Sequence, residues 1–320
     1  MTSSGPLIFM FPGQSSRYPE MIEKITAESA ASAAIVAQAS AILGRDLTAH
    51  YRSGNDKIFA RNRDVQIGMF LANHLHMRWL EEAGIEARWS LGLSLGEYNH
   101  LVHAGALSFE DALRLVDQRG ALYENGAPGM MVSVFPIEAE MVNRKIAELG
   151  LEGRVVIGLY NSPRQQVLSG ERDAVMQLTA ALEEDMLIEP VETEPNIAMH
   201  APMFAPVAEK FRAVLAKTRI EEPRLPYIPN VLAAVMANAP PDAIRTHLAS
   251  HVCEPVLWQG SIDALASLLP AARFVEVGPR AVLYNLFGRG WMPGRRYKTD
   301  AGEHWREHIC GLIADLRNGG

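Results

Sequence analysis

Short apolar runs alternate along the chain with longer segments in which apolar residues recur at helical spacing. Leu7–Phe11 predicts a buried strand that ends in a tight Pro-Gly loop, and residues 87–93 predict a second strand. Helical spacing over residues 19–43 and 65–83 predicts helices between these two strands. This alternation of strand and helix is typical of an α/β unit.

The pattern changes after Gly126, where short strands follow one another more closely. Strands are predicted at residues 129–135, 155–159, 166–169 and 188–192, with helices at 138–149 and 172–186. This β-α-β-β-α-β order is that of the split βαβ, ferredoxin-like arrangement. We therefore predict an α/β fold in which a ferredoxin-like small subdomain, residues 127–195, is inserted into a larger α/β subdomain formed by residues 1–126 and 196–320.

The composition narrows the class of protein. The chain has 320 residues, of which 48% are hydrophobic and 21% charged, as in an ordinary globular protein. The net charge of -7 argues against a nucleic-acid partner. The sequence has neither a stretch long enough to span a membrane nor a signal peptide, so we expect no membrane association. The two distant cysteines, Cys253 and Cys310, favour the reducing cytoplasm.

Two histidine pairs stand at helical i, i+4 spacing, His247 with His251 and His304 with His308. Neither pair has cysteines or carboxylates nearby that would complete a metal site. We therefore predict no metal and interpret both pairs as solvated helix faces. The basic run 293–298 is interpreted as a local surface patch.

Residues 92–96 read Gly-Leu-Ser-Leu-Gly and lie between a predicted strand and a predicted helix. In this context a G-x-S-x-G motif forms a sharp turn that exposes the serine hydroxyl above the sheet. The following helix directs its free N–H groups towards the same point. Ser94 is therefore a candidate nucleophile, and the alternative is a serine that merely caps the helix.

Further sequence blocks accompany this motif in a fixed order. They are FPGQSS at 11–16, GLSLGEY at 92–98, AGALSFEDA at 104–112 followed by Arg119-Gly120, NSPRQQVLSG at 161–170, MHAPM at 199–203, PVLW at 255–258 and EVGP at 276–279. In these blocks, over about residues 7–287, the chain resembles the malonyl-CoA:acyl-carrier-protein transacylase family, which includes acyltransferase domains of fatty-acid and polyketide synthases. The resemblance implies that the larger subdomain is α/β-hydrolase-like.

The resemblance also assigns catalytic roles to residues. Ser94 matches the family nucleophile and His200 the family base. The backbone N–H groups of Gln14 and Leu95 match the oxyanion hole. No Asp completes a triad; instead a backbone carbonyl orients the histidine in this family, and His251 occupies that position, usually a glutamine.

Substrate choice is assigned in the same way. Arg119, 25 positions after Ser94, matches the family arginine that binds the free carboxylate of a malonyl or methylmalonyl group, because a guanidinium offers two parallel donors. A surface arginine is the alternative. Leu93 and Met199 match acyl-pocket positions, and a bulky Met199 favours malonyl over an α-methyl branch.

The resemblance implies a discrete enzyme that takes malonyl-CoA as donor and an acyl carrier protein as acceptor, without a cofactor. The basic run 293–298 is then an alternative docking spot for an acidic carrier protein. Two other functions use the same blocks. One is an editing acyl hydrolase of the same fold, against which Arg119 argues. The other is a non-catalytic carrier-protein-binding module, against which the intact Ser94, His200 and Gln14 argue.

Overall fold

The computed structural model describes residues 5–55, 57–288 and 290–317, within which eight strands form two four-stranded sheets. The strands are β1 (Leu7–Phe11), β2 (Trp89–Gly92), β3 (Met130–Phe135), β4 (Val155–Ser162), β5 (Gln165–Gly170), β6 (Glu189–Glu194), β7 (Arg273–Glu276) and β8 (Arg295–Lys298). The helices are α1 (Glu23–Glu28), α2 (Ala30–Leu43), α3 (Leu47–His50), α4 (Asn62–Glu82), α5 (Gly96–His103), α6 (Phe109–Tyr123), α7 (Ala139–Glu148), α8 (Arg172–Asp185), α9 (Ala205–Leu215), α10 (Pro241–Ser250), α11 (Trp258–Leu268), α12 (Val282–Leu286) and α13 (Trp305–Arg317).

The first sheet is parallel throughout and has the strand order β2-β1-β7-β8. Its central strand β1 is apolar at every position, and Ile8 to Phe11 have no exposed surface. A strand of this kind is expected where a parallel sheet is covered on both faces. The register pairs Phe11 with Gly92, so β1 and β2 end at the same edge of the sheet.

Strand β8 differs from the prediction for residues 293–298. The segment has no apolar alternation, yet Arg295 to Lys298 pair in register with β7 at the edge of the sheet. Charged side chains are common on edge strands because they discourage pairing with other chains. The basic run is therefore part of the sheet, and Arg296 donates hydrogen bonds to the carbonyls of Tyr284 and Phe287.

The second sheet is antiparallel, with the strand order β4-β5-β3-β6. Its elements follow the chain order β3-α7-β4-β5-α8-β6, which confirms the predicted ferredoxin-like arrangement. A hydrophobic core of its own, drawn entirely from residues 130–188, joins the sheet to helices α7 and α8. The boundaries at residues 127 and 195 stay a prediction.

Most predicted helices are present, with one correction. The single helix expected over residues 19–43 is broken at Ser29, whose extended backbone (φ -143°, ψ 113°) separates α1 from α2. The Ser29 side chain accepts a hydrogen bond from the Ser32 N–H and so caps α2, a role for which serine is well suited. Helix α6 begins directly after Ser108, whose side chain caps it by accepting from the Asp111 N–H.

The second sheet is bonded to the rest of the fold close to the segment that carries His200. The Tyr160 N–H on β4 donates to the Val256 carbonyl at 2.9 Å, and the Val256 N–H donates to Gly158 at 2.8 Å. The Ser169 hydroxyl on β5 donates to the carbonyl of Met199 at 2.6 Å. These bonds hold the histidine segment between the small sheet and the chain after α10.

Among the described helices, none has the length and apolar character needed to cross a bilayer.

Candidate active site

The turn between β2 and α5 is built on two glycines that approach other main-chain atoms closely. A Cβ atom on Gly92 would lie 2.0 Å from the Gly96 carbonyl, and one on Gly96 would lie 2.1 Å from the Phe11 carbonyl oxygen. Only glycine fits at both positions. The turn places Ser94 at the edge where β1 and β2 end, with a left-handed backbone (φ 51°) and 6% of its surface exposed.

Ser94 and His200 are in hydrogen-bond contact although 106 residues separate them. The Ser94 Oγ to His200 Nε2 distance is 2.8 Å, and His200 Nδ1 lies 2.7 Å from the His251 carbonyl oxygen. Because a carbonyl only accepts, the proton of a neutral His200 ring resides on Nδ1. Nε2 is then free to accept the proton of the Ser94 hydroxyl.

The surroundings of His200 favour its neutral form. Burial lowers the pKa of the His200 imidazole well below 6.5, and the charges of His251 and Arg119 lower it further. The residue also has a left-handed backbone (φ 61°), and its N–H donates to the Val252 carbonyl at 3.1 Å. Two neighbouring strained residues, Ser94 and His200, are the kind of feature that concentrates at functional sites.

Asn230 holds the serine turn in place. Its Oδ1 accepts from the Ser94 N–H at 2.8 Å, while its Nδ2 donates to the Gly92 carbonyl at 2.7 Å. The Asn230 carbonyl also accepts from the Leu257 N–H at 2.8 Å, which links the turn to the start of α11. Sequence reasoning missed this residue, because it lies 136 positions from Ser94 and belongs to none of the quoted blocks.

Gln14 and Leu95 both lie beside the serine turn. The Leu93 N–H donates to the Phe11 carbonyl at 2.9 Å, which brings the loop after β1, with Gln14, against the turn. The Gln14 side chain is held away by its bond to Glu194 at 2.7 Å. Within the described chain, the main-chain N–H groups of Gln14 and Leu95 donate to no protein acceptor. Both donors are thus available to a bound group.

Arg119 is buried, with 1% of its surface exposed, so the alternative of a surface arginine is wrong. Its Nη1 donates to Gln66 Oε1 at 2.8 Å, whereas Nε and Nη2 are buried without a hydrogen-bond partner. The neighbouring Asp117 does not neutralise it, because that carboxylate is paired with Arg63 at 2.5 Å. A buried guanidinium with two unpaired donor nitrogens destabilises the fold unless an acceptor binds there.

Two tyrosines extend this set of unpaired donors. The Arg119 guanidinium lies 4.3 Å from the Tyr123 ring centre and 5.6 Å from that of Tyr98. The hydroxyls of both tyrosines are buried and also lack a partner. Sequence reasoning missed Tyr98, Tyr123 and Gln66, since they are scattered over three helices. Together these groups can surround an acceptor-rich anion such as a carboxylate.

Leu93 and Met199 flank the two reactive residues in sequence and are both buried, with 6% and 4% of their surface exposed. They belong to the main hydrophobic core. His251 is also buried, at 1% exposure, so the interpretation of its helix face as solvated is wrong. Its ring stacks on the His200 ring with centres 4.8 Å apart.

Comparison with known proteins adds to this geometry. Residues 8–303 match the model of a family described as the acyl transferase domain. A malonyl CoA-acyl carrier protein transacylase of Escherichia coli (strain K12) is 32% identical over 286 residues, which cover 88% of this chain and 91% of that protein. The crystal structure of malonyl-CoA:acyl carrier protein transacylase from Xanthomonas oryzae pv. oryzae superposes with a TM-score of 0.88 at 30% identity, covering 98% of this chain and 99% of the other.

A third match is a solved complex, described as a type II PKS acyl-carrier protein bound to its malonyl-transacylase. This chain superposes on the matched chain of that complex with a TM-score of 0.86 at 26% identity, covering 98% of this chain and 99% of the other.

Proposed function

The chain belongs to the acyl transferase domain family, and on that premise we propose that it moves a malonyl group from coenzyme A to the phosphopantetheine thiol of an acyl carrier protein. Ser94 is the nucleophile and His200 the base. The malonyl transacylases from Escherichia coli and Xanthomonas oryzae support this choice of reaction. The type II PKS complex supports an acyl carrier protein as acceptor.

The first half-reaction follows from the contacts of Ser94. His200 Nε2 takes the hydroxyl proton as Ser94 Oγ attacks the thioester carbonyl. The N–H groups of Gln14 and Leu95 donate to the oxyanion, each contributing on the order of 3 kcal/mol. The C–S bond then breaks, and His200 returns the proton to the departing coenzyme A thiolate. The product is a malonyl ester on Ser94.

The second half-reaction reverses these steps with a different thiol. His200 removes the proton of the carrier protein's phosphopantetheine thiol, whose sulfur attacks the malonyl-Ser94 ester. The oxyanion forms at the same two N–H groups, and the C–O bond to Ser94 breaks. The proton passes from His200 back to Ser94 Oγ. The same neutral histidine therefore serves both halves of the reaction.

Arg119 is the observation that carries the choice of acyl group. Its buried Nε and Nη2 donors, with the hydroxyls of Tyr98 and Tyr123 close by, suit a buried anion with several acceptor positions. The free carboxylate of malonyl supplies two oxygens, and acetyl supplies none. The charge of Arg119 also lowers the His200 pKa, an interaction that supports a carboxylate site near the reacting groups. The bulky Met199 favours malonyl over methylmalonyl at the same site.

Intact-protein mass spectrometry after brief incubation with malonyl-CoA, methylmalonyl-CoA or acetyl-CoA tests this proposal. We expect a malonyl adduct that is absent in Ser94→Ala and that transfers to a carrier protein. The acetyl adduct forms more slowly. Release of free malonate in place of transfer would instead identify an editing hydrolase. Absence of any adduct and of any hydrolysis would identify a non-catalytic module.

A further inference from the structure

Beside the His200 ring, the structure buries a further ionisable pair. His251 Nδ1 lies 2.8 Å from Glu97 Oε2, and both side chains have 1% exposure or less. The other Glu97 oxygen, Oε1, accepts a hydrogen bond from the Tyr227 hydroxyl at 2.5 Å. The contact between His251 and Glu97 is close in distance but is not aligned as a hydrogen bond. The two side chains are placed to form an ion pair when the His251 ring is protonated.

A buried carboxylate needs a counter-charge, because one hydroxyl does not replace the water it has lost. His251 is the cationic type of side chain in direct contact with Glu97. His247, one turn earlier on α10, is half-buried, and burial lowers its pKa, which favours its neutral form. The His100 ring stacks on Tyr227, and burial lowers its pKa to about 3. His251 is therefore the residue placed to supply the counter-charge of Glu97.

The His251 ring is stacked directly on the catalytic imidazole. The ring centres of His200 and His251 are 4.8 Å apart, with an angle of 22° between the planes. The His251 carbonyl simultaneously accepts from His200 Nδ1 at 2.7 Å. One residue therefore contacts His200 twice, through its main chain and through its ring. Only the main-chain contact is available to every residue type.

We propose that Glu97 and His251 form a positioning pair, which holds a positive charge against His200 and keeps this base unprotonated in mildly acidic solution. The inference rests on the proposed role of His200 as base. It assigns the His251 ring a role in addition to that of its carbonyl. It also gives a function to Glu97, whose side chain takes no part in either half-reaction.

The direction of the effect follows from the groups that face His200. A cation beside an imidazole disfavours a second positive charge, so the His251 ring lowers the His200 pKa, as does the more distant Arg119. Hydrogen bonds to the main chain of His251 and Glu254 act in the opposite direction. Ser94, which also faces the ring, carries no charge. Removal of the His251 charge therefore raises the pKa of His200, and the protonated, inactive fraction grows as pH falls.

The test uses a fluorophosphonate that labels the activated serine, since this reaction requires Ser94 and His200 but no malonyl group. Labelling rates are measured from about pH 5 to about pH 9. In His251→Gln the carbonyl contact remains while the ring charge is lost. We expect the labelling rate at the acid end to fall about tenfold relative to wild type. The rate on the alkaline plateau stays within about threefold.

Glu97→Gln supplies a second, independent variant. Without the carboxylate, the His251 ring has no counter-ion that keeps it protonated. The labelling rate at acid pH should therefore fall, as it does in His251→Gln. The double variant Glu97→Gln/His251→Gln should fall no further than either single variant. His247→Gln is the matched control, because it makes the same change one turn earlier, on a ring that does not stack on His200. It should leave the pH profile unchanged.

Each result decides the inference separately from the proposed function. An unchanged acid limb in folded His251→Gln, or additive shifts in the double variant, would overturn the positioning pair. If neither single variant folds, nitrogen-15 histidine spectra of the wild-type protein decide. The pair requires one histidine ring that is doubly protonated while the His200 ring is neutral. Absence of wild-type labelling at every pH would contradict the proposed role of Ser94 instead.

Discussion

Two buried serines four positions apart both contact histidines, and they differ in everything else. Ser94 Oγ lies 2.8 Å from His200 Nε2. Ser90 Oγ lies 2.7 Å from His100 Nδ1 and 2.8 Å from His103 Nδ1. By distance alone, Ser90 has the better partners. The structure nevertheless gives it none of the other features of a nucleophile.

The hydrogen bonds at Ser90 form a closed chain in which the donor and the acceptor of each bond are fixed. The Ile228 N–H donates to His100 Nε2 at 3.1 Å, so His100 carries its proton on Nδ1 and donates to Ser90. His103 bonds the Ala87 main chain with its other nitrogen, so its Nδ1 accepts the Ser90 hydroxyl proton. This chain fastens strand β2 to helix α5 and has no acceptor left for a substrate.

We call the Ser90 region closed, because its hydrogen bonds form a complete chain. We call the Ser94 region open, because some hydrogen-bond donors around it have no acceptor in the described part of the chain. Ser94 stands in a left-handed turn at a strand end, next to the free N–H groups of Gln14 and Leu95. Arg119 adds unpaired donors nearby. A Ser–His contact alone therefore does not mark a nucleophile, since it occurs in both regions; the position of the serine and the unsatisfied donors distinguish Ser94.

The largest effect is expected when the Ser94 hydroxyl is removed. We expect Ser94→Ala to lower the rate of malonyl transfer by about 10⁴-fold to 10⁶-fold, because the covalent route disappears. Thermal unfolding should change little, since Ser94 anchors no closed chain of bonds. Transfer is measured with malonyl-CoA and a carrier protein. Retention of a malonyl adduct in this variant would place the nucleophile elsewhere.

Arg119→Ala tests whether the unpaired donors of the open region serve the substrate. We expect malonyl transfer to fall about a hundredfold or more, because a charge-assisted pair is lost, while acetyl transfer changes little. Arg114→Ala is the matched control on α6, since Arg114 is exposed and pairs only with Glu110. Steady-state rates with both donors decide. Equal losses with malonyl and acetyl would contradict the carboxylate site.

The closed region predicts a pH dependence of stability. Burial lowers the pKa of His100 to about 3 and that of His103 to about 4, from 6.5. The unfolded chain therefore binds more protons than the folded one below pH 6.5, so stability is full above that pH. It falls as pH drops, by at most about 1.4 kcal/mol per histidine per pH unit, down to pH 3 to 4.

Denaturant unfolding at several pH values measures this fall. Buried His74 and His76, with pKa values lowered to about 3 and about 4, contribute in the same direction. If the free energy of unfolding instead stays constant from neutral to mildly acidic pH, these rings have the same pKa in the folded and the unfolded chain.

The smallest expected effect is that of Ser90→Ala. His100 and His103 each lose a buried partner, so we expect the free energy of unfolding to fall by about 1–3 kcal/mol. Malonyl transfer should remain within about threefold of wild type. Ser267→Ala, at an exposed position of α11, is the control for a serine outside such a chain. Loss of transfer without loss of stability would make the Ser90 region part of the reaction.

Much of the fold was accessible from the sequence, because apolar spacing and turn residues act over a few positions. These local signals predicted β1, the ferredoxin-like order of the second sheet and the Gly-bounded turn at Ser94. They did not predict β8, because Arg295 to Lys298 form a strand through pairing with β7 and not through a pattern of their own. Nor did helical spacing reveal the break at Ser29.

The candidate residues Ser94, His200 and Arg119 were accessible from the sequence, since they stand in recognisable blocks. How they are held became visible only in the folded chain. Asn230 clamps the serine turn from 136 positions away, and Glu97 meets His251 across 154 (251 − 97) positions. Such contacts leave no periodic trace in the chain, because they depend on where separate elements pack and on which buried charges must find each other there.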